Sequence, residues 1–236
     1  VKSEGKAKYA LGSVLGHVLL HQTINGNEAI LQMEHAGDYP DIIVGCTGGG
    51  SNLAGLMFPF LGQQLRGGQK IDIIGCEPLS CPSFTKGKYA YDHGDMARMT
   101  PLIKMHTLGS DFLPPANHSG GLRYHGMSYH LSHLYDLGLM RAKAYGQKDC
   151  FEAGVIFGKQ EGIIPAPEGN HAVKGAIDAA LECKEKGESK TILFNLCGHG
   201  HFDMTAYDDY FNGKLADDFY DEASANQSLS QLPEIA

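Results

Sequence analysis

Asp41-Ile-Ile-Val-Gly-Cys-Thr47, followed by Gly48-Gly-Gly-Ser-Asn52 and then Leu53 to Leu65, is the stretch that decides the fold. The first run is short and largely apolar, as a parallel strand buried on both faces must be. The last is long enough for a helix. Between them, three glycines let the backbone curl so that several N–H groups point inward, against the unpaired amides and positive dipole end of the following helix. That combination is a cradle for a phosphate or another anion, and the side chains of Ser51 and Asn52 can add hydrogen bonds. There is no G-K-[ST] after the loop and no G-x-G-x-x-G spacing, so neither common nucleotide fingerprint applies. A tight turn without a ligand is the other reading. It is disfavoured because three consecutive glycines cost backbone entropy for no structural return.

Working outward, Val14, Leu15, Val18, Leu19 and His21 recur at helical spacing within Tyr9 to Met33, which predicts a helix. Pro59 is expected to kink or shorten the helix over 53–65. Lys70 to Cys76 reads as a second strand, and Ala142 to Gly146 as a possible further one. His130 to Gly138 is a helical candidate. Asp149 and Glu152 form a candidate capping box for a helix reaching about Glu161. Val173, Ile177, Ala180 and Leu181 mark a helix that should stop near Gly187, and Thr191 to Cys197 is a third buried strand. Residues 78–125 show no period and are rich in Gly, Pro, His and Ser, so they read as a long loop. The order predicts an α/β fold in three layers: a mostly parallel sheet with helices on both faces and ligand loops at the strand carboxyl ends. Residues 1–222 read as one α/β domain and residues 223–236, low in hydrophobicity, as a mobile C-terminal tail.

The chain has 236 residues, enough for one large domain with a sizeable core. It opens on Val1, and the polar run Val1 to Gly5 looks like an internal start, so a fragment of a longer protein is expected. No secretory signal is recognised, and no apolar run approaches the ~20 residues needed to cross a bilayer. The formal charge of −8 is uneven: from Asp203 onward there are eight acids and one base. The remaining body is nearly neutral, which gives no footprint for nucleic acid or for an anionic membrane. Six cysteines, none in a C-x-x-C pair, read as reduced thiols of a cytoplasmic protein.

Three further segments carry candidate chemistry. Cys197-Gly198-His199-Gly200-His201-Phe202-Asp203 ends the third strand. Alternating Cys197, His199 and His201 suggest a metal site, but no second pair has ligand spacing, and a loop closing over a pocket is preferred; no metal is expected. Glu168 opens a helix, where it either favours the helix dipole or faces a ligand. Asp111 is either a substrate-facing carboxylate or a solvated loop charge. His17 and His21 share a helix face without an intervening Glu and read as packing or surface residues.

Gly48 to Asn52, Gly109-Ser-Asp111-Phe112, Glu161-Gly-Ile-Ile-Pro-Ala-Pro-Glu168 and Asn195 to Asp203 resemble, in the same order, segments of tryptophan synthase β chains. Ser13 to Gln22, Gly120-Gly-Leu-Arg-Tyr-His125 and Gly198 to Asp203 are similar to the second, longer subfamily. The resemblance spans nearly all of this chain but only the C-terminal portion of the family. It implies a pyridoxal phosphate (PLP) enzyme of fold type II, a lyase that joins L-serine and indole into L-tryptophan and water by way of an aminoacrylate, with the cofactor as electron sink.

By resemblance, Gly48, Gly49, Gly50, Ser51 and Asn52 hold the cofactor phosphate, Glu168 lies beside the pyridine ring, and Cys197 and Gly198 complete the cofactor contacts. Asp111 approaches the serine hydroxyl, and Phe112 lies by the indole pocket. Cys197 replaces the family's serine at the pyridine nitrogen. A thiol is the weaker hydrogen-bond partner but, like the hydroxyl, is neutral when protonated. The family's Schiff-base lysine lies in an N-terminal half that this chain does not match, and Lys143, Lys148 and Lys159 fall outside the lysine motif. The chain alone is therefore expected to be inactive and to partner that N-terminal half, within a homodimer; the resemblance leaves an α subunit open. A non-catalytic phosphate- or PLP-binding module, and another fold type II enzyme such as threonine synthase, are the alternatives. The Gly198 to Asp203 run argues against the second.

Overall fold

A computed structural model describes Lys6, residues 11–217 and residues 219–234. The expected start over Val1 to Gly5, and Tyr9 of the first predicted helix, lie outside the described residues. Four strands, β1 (Ile42–Cys46), β2 (Asp72–Pro78), β5 (Arg141–Tyr145) and β6 (Ile192–Phe194), form one parallel sheet in the order β5-β2-β1-β6. The register pairs Val44 with Ile74 on one side and with Phe194 on the other. All three expected strands, and the possible fourth, are therefore present side by side.

Period-two alternation sorts the strand side chains between two cores. Ile43 and Ile73 join Leu53, Met57 and Phe60 of α2 (Ser51–Leu65) and Leu19 of α1 (Gly16–Ala36). Ile42, Val44, Ile74 and Cys76 face Cys150 of α4 (Gln147–Glu161) and Ala179 and Cys183 of α5 (Pro167–Lys186). These are the three expected layers.

Glycines set how closely α1 meets α2. A Cβ on Gly26 would stand 2.6 Å from the Gly55 carbonyl oxygen and 2.8 Å from Pro59 Cδ, so the helices cross backbone to backbone. Of the two effects expected of Pro59, a kink or a shorter helix, the second does not occur: α2 runs to Leu65 with Pro59 inside it. Gly187, at φ +67°, ends α5 where the sequence places the stop. The Asp149–Glu152 capping box does not form, because α4 already starts at Gln147 with Gly146 as its N-cap.

The long loop over 78–125 is a correction to the sequence reading. It contains an antiparallel hairpin, β3 (Lys88–His93) and β4 (Leu102–Thr107), and a single helical turn at Gly120–Leu122. Its inner side buries polar groups, and Thr107 donates its hydroxyl to Asp92 Oδ2 at 2.7 Å with both residues buried. An apolar alternation is therefore missing, and period counting fails. A short helix, α3 (Tyr129–Asp136), follows. Helix α6 (Met204–Phe211) packs Tyr207 against Phe151 of α4. Helix α7 (Glu222–Leu229) begins at the edge of the predicted tail and seats Ala225 against Leu108 and Phe112.

Candidate functional site

The crevice between the carboxyl ends of β1 and β6 is where an open parallel sheet ordinarily receives a ligand. The glycine loop follows β1 there. Gly50 takes φ +95° and caps α2, a conformation that side-chain-bearing residues adopt at a cost. Each glycine has a neighbour where a Cβ would sit. At Gly48 the Gly121 carbonyl oxygen is 2.8 Å away, at Gly50 the Met127 sulfur is 2.7 Å away, and at Gly49 the Ser13 hydroxyl fills the space. The three glycines are thus needed for close approach, and α2 leaves its first amides facing the loop without a side-chain cap.

The other wall comes from α5 and the end of β6. The Gly121 amide donates to Glu168 Oε1 at 2.8 Å, which ties the first turn of α5 to the Gly120–Leu122 turn lying against Gly48. A Cβ on Gly169 would lie 3.0 Å from the Cys197 carbonyl oxygen. Asn195 Nδ2 donates to Asn52 Oδ1 at 3.1 Å, joining the end of β6 to α2. Cys46 Sγ and Cys197 Sγ are 3.6 Å apart. The contact with Cys197 and burial raise the Cys46 thiol well above its usual range, while the same contact lowers Cys197. Either sulfur can donate in this contact.

Gly48–Asn52, Glu168, Cys197 and Gly198 accordingly meet in one crevice. Asp111 and Phe112 do not join it through any hydrogen bond of the described residues. Asp111 pairs with Arg98 at 2.6 Å in an exposed position. Phe112 is fully buried and, with Arg123 and His125, lines a neighbouring cavity of about 400 Å³. The segment Leu11–Val14 runs between the two places. Ser13 abuts Gly49, and Val14 Cγ1 lies 3.3 Å from a Cβ built on Gly94, beside that cavity. His199 and His201 hold their rings 4.9 Å apart, with His199 Nδ1 accepting the His201 amide. Among the described residues, no three His, Cys, Asp or Glu side chains form a metal-binding group.

Sequence reading gave no site role to Cys46, nor to Ser13 and Gly121, although those two lie in segments that resemble the second subfamily. It also missed three buried hydroxyls without partners among the described residues: Thr47 Oγ1, next to the loop in sequence; Ser128 Oγ, 3.3 Å from a Cβ on Gly50; and Ser119 Oγ, next to the Gly120–Leu122 turn. Orphaned buried hydroxyls are uncommon and call for an explanation. Together with the glycine cradle, they fit a phosphate-bearing group with several acceptor oxygens.

Fold and crevice define the class: a parallel α/β domain with a glycine loop between the carboxyl end of β1 and the start of α2. The chain belongs to the family described as pyridoxal-phosphate dependent enzymes, whose model matches residues 17–198. It is 58% identical over 218 residues, 91% of this chain, to a tryptophan synthase beta chain 2 of Aquifex aeolicus, and 57% identical over 208 residues, 88% of this chain, to that of Methanosarcina mazei. It covers 50% and 47% of those two proteins, and so spans about half the length of the curated relatives it matches. The likeness to tryptophan synthase β chains expected from the motifs is borne out. Among solved structures, a fungal L-serine ammonia-lyase from Rhizomucor miehei superposes with a TM-score of 0.63 at 14% identity, over 88% of this chain and 60% of that one. That likeness speaks for the fold alone, and it agrees with the expected fold type II architecture.

Proposed function

We propose that this chain supplies the cofactor-holding part of a tryptophan synthase of the β type, the parent reaction being L-serine plus indole to L-tryptophan and water. The observation that carries the reading is the meeting of the glycine loop, Glu168 and Cys197 in one crevice, in a chain 58% identical to a β chain over 218 residues. When bound, PLP supplies the electron sink for loss of the serine hydroxyl. The chain's own residues do the rest. The amides of Gly48–Asn52 and the start of α2 receive the phosphate, and the orphaned Thr47 and Ser128 hydroxyls add donors to it. Glu168, fixed by the Gly121 amide, flanks the ring. Cys197 offers its sulfur to the ring nitrogen. Asp111 serves the substrate hydroxyl once released from Arg98, and Phe112 borders the indole cavity.

The lysines with defined contacts are engaged elsewhere: Lys143 with Glu182, Lys174 with Asp178, Lys190 with Glu188 and Lys104 over the Tyr89 ring. We therefore propose non-covalent PLP binding and no tryptophan formation by this chain alone. Leu20, Ile24 and Leu31 are exposed along α1, an apolar stripe suited to packing against a further part of a cytoplasmic homodimer. No helix among the described residues is long and apolar enough to cross a membrane. Association with an α subunit belongs to the same proposal. Borohydride reduction with PLP, followed by peptide mapping and a serine-plus-indole assay, tests the division of labour. The expected result is an unlabelled chain and no tryptophan. Stoichiometric labelling of one lysine with tryptophan formation would overturn it.

A further inference from the structure

We infer that Cys46 and Cys197 form a redox-modifiable dithiol that a hydroperoxide closes to a disulfide across the ends of β1 and β6. The geometry carries the inference. The two sulfurs are 3.6 Å apart and must close to about 2.05 Å for a bond. Their strands are adjacent and parallel, with Val44 opposite Phe194, and the Asn195 amide still donates to the Val44 carbonyl at 3.0 Å. β6 ends at Phe194, so Cys197 leaves the ladder beyond it, and the sulfur contact shows that the two side chains converge there.

The pair is also chemically unequal. Cys46 is wholly buried, whereas Cys197 is the one cysteine of the six that is not. The 3.6 Å contact raises the Cys46 thiol and lowers Cys197, which favours thiolate character on the accessible partner, the form that reacts. Cys76, opposite Cys46 in the β1–β2 register, is held by burial at about 12 and is inert by comparison.

The step balances as follows. The Cys197 thiolate attacks one peroxide oxygen, giving a sulfenic acid and releasing hydroxide, which takes up a proton to become water. The Cys46 sulfur then attacks the Cys197 sulfur, and the sulfenic hydroxyl leaves with the Cys46 proton as a second water. The two sulfurs lose two electrons in all, and the peroxide gains them. The disulfide fixes the Cys197 sulfur to β1 and ends its hydrogen bonding. On the proposed function, which this consequence alone rests on, PLP then binds more weakly.

The test is mild treatment of the full chain with hydrogen peroxide, alkylation under denaturing conditions and peptide mapping by mass. The expected product links the peptides carrying Cys46 and Cys197, with loss of two hydrogens, and dithiothreitol reverses it. In Cys46→Ser the link disappears and dimedone traps a sulfenic acid on Cys197; Cys197→Ser gives neither product. Alkylation of both cysteines in the peroxide-treated wild type, or a link from Cys46 to Cys76, would overturn the inference whatever the variants do. PLP titration of the linked chain is expected to show at least a severalfold loss of affinity. Unchanged affinity with the link in place would leave the dithiol standing and count against Cys197 beside the ring.

Discussion

The amide of Gly121 donates to Glu168 Oε1 at 2.8 Å, joining residues 47 positions apart in sequence. This bond sets the turn that lies against Gly48. Glu168→Ala removes the acceptor and Glu168→Gln keeps one. We expect faster hydrogen exchange at Gly121 in the alanine variant and near-native exchange in the glutamine variant, with stability changed by about 1 kcal/mol or less in both. Equal exchange in wild type and Glu168→Ala would show that the bond does not order the turn.

At the α1–α2 crossing, a Cβ on Gly26 meets the carbonyl oxygens of Leu56 and Gly55, backbone atoms that cannot rotate aside. Gly26→Leu therefore has to separate the two helices. Overpacking of this kind costs about 1–3 kcal/mol, occasionally more. Urea denaturation reads the change; a variant as stable as wild type would mean that the helices slide freely.

Glu77 is wholly buried at the end of β2, with its oxygens accepting from the Phe84 amide at 2.8 Å and the Thr85 hydroxyl at 2.7 Å. Burial pushes its carboxyl from 4.5 up to about 7 despite those bonds. The folded state thus holds this proton more tightly than the unfolded one. The associated stability is complete below about pH 4.5 and is lost as pH rises through about 7, by about 3 kcal/mol in all. Glu77→Gln, which does not titrate, should lack that fall. Denaturation curves of both chains at about pH 5 and about pH 8 check this; parallel pH dependence would contradict it.

Arg98 and Asp111 are 48% and 43% exposed, so their ion pair should contribute at most about 1 kcal/mol. Arg98→Ala and Asp111→Asn are expected to leave the melting temperature within a few degrees of wild type. In a reconstituted enzyme, Asp111→Asn should lower kcat while Arg98→Ala spares it. A large loss of stability in either variant would make the pair structural.

The fold was legible where burial is two-sided and uniform. Ile42 to Cys46 and Ile73 to Cys76 are apolar runs buried on both faces; Ile192 to Phe194 is equally apolar but only half-buried, and the glycines after β1 also serve the close approach of Ser13, Gly121 and Met127. The hairpin over 88–107 was hidden because its buried residues are Asp92 and Thr107, hydrogen-bonded to each other, beside a single fully buried apolar one, Met105, too few for an apolar period to show. Gly48–Asn52, Glu168 and Cys197, which the structure brings near one another, lie on motifs legible in the sequence. The places of Ser13, Gly121 and Cys46 were not legible, because each acts through a contact made only by tertiary folding.

On the proposed function, the glycine loop holds the PLP phosphate. The most direct test is the PLP affinity of the wild-type chain against Gly49→Val, whose side chain would displace the Ser13 hydroxyl and crowd the loop. The account predicts saturable binding to wild type, competed by inorganic phosphate, and at least a tenfold weaker affinity for the variant, a difference of about 1.4 kcal/mol. Equal affinity of the two chains would contradict it.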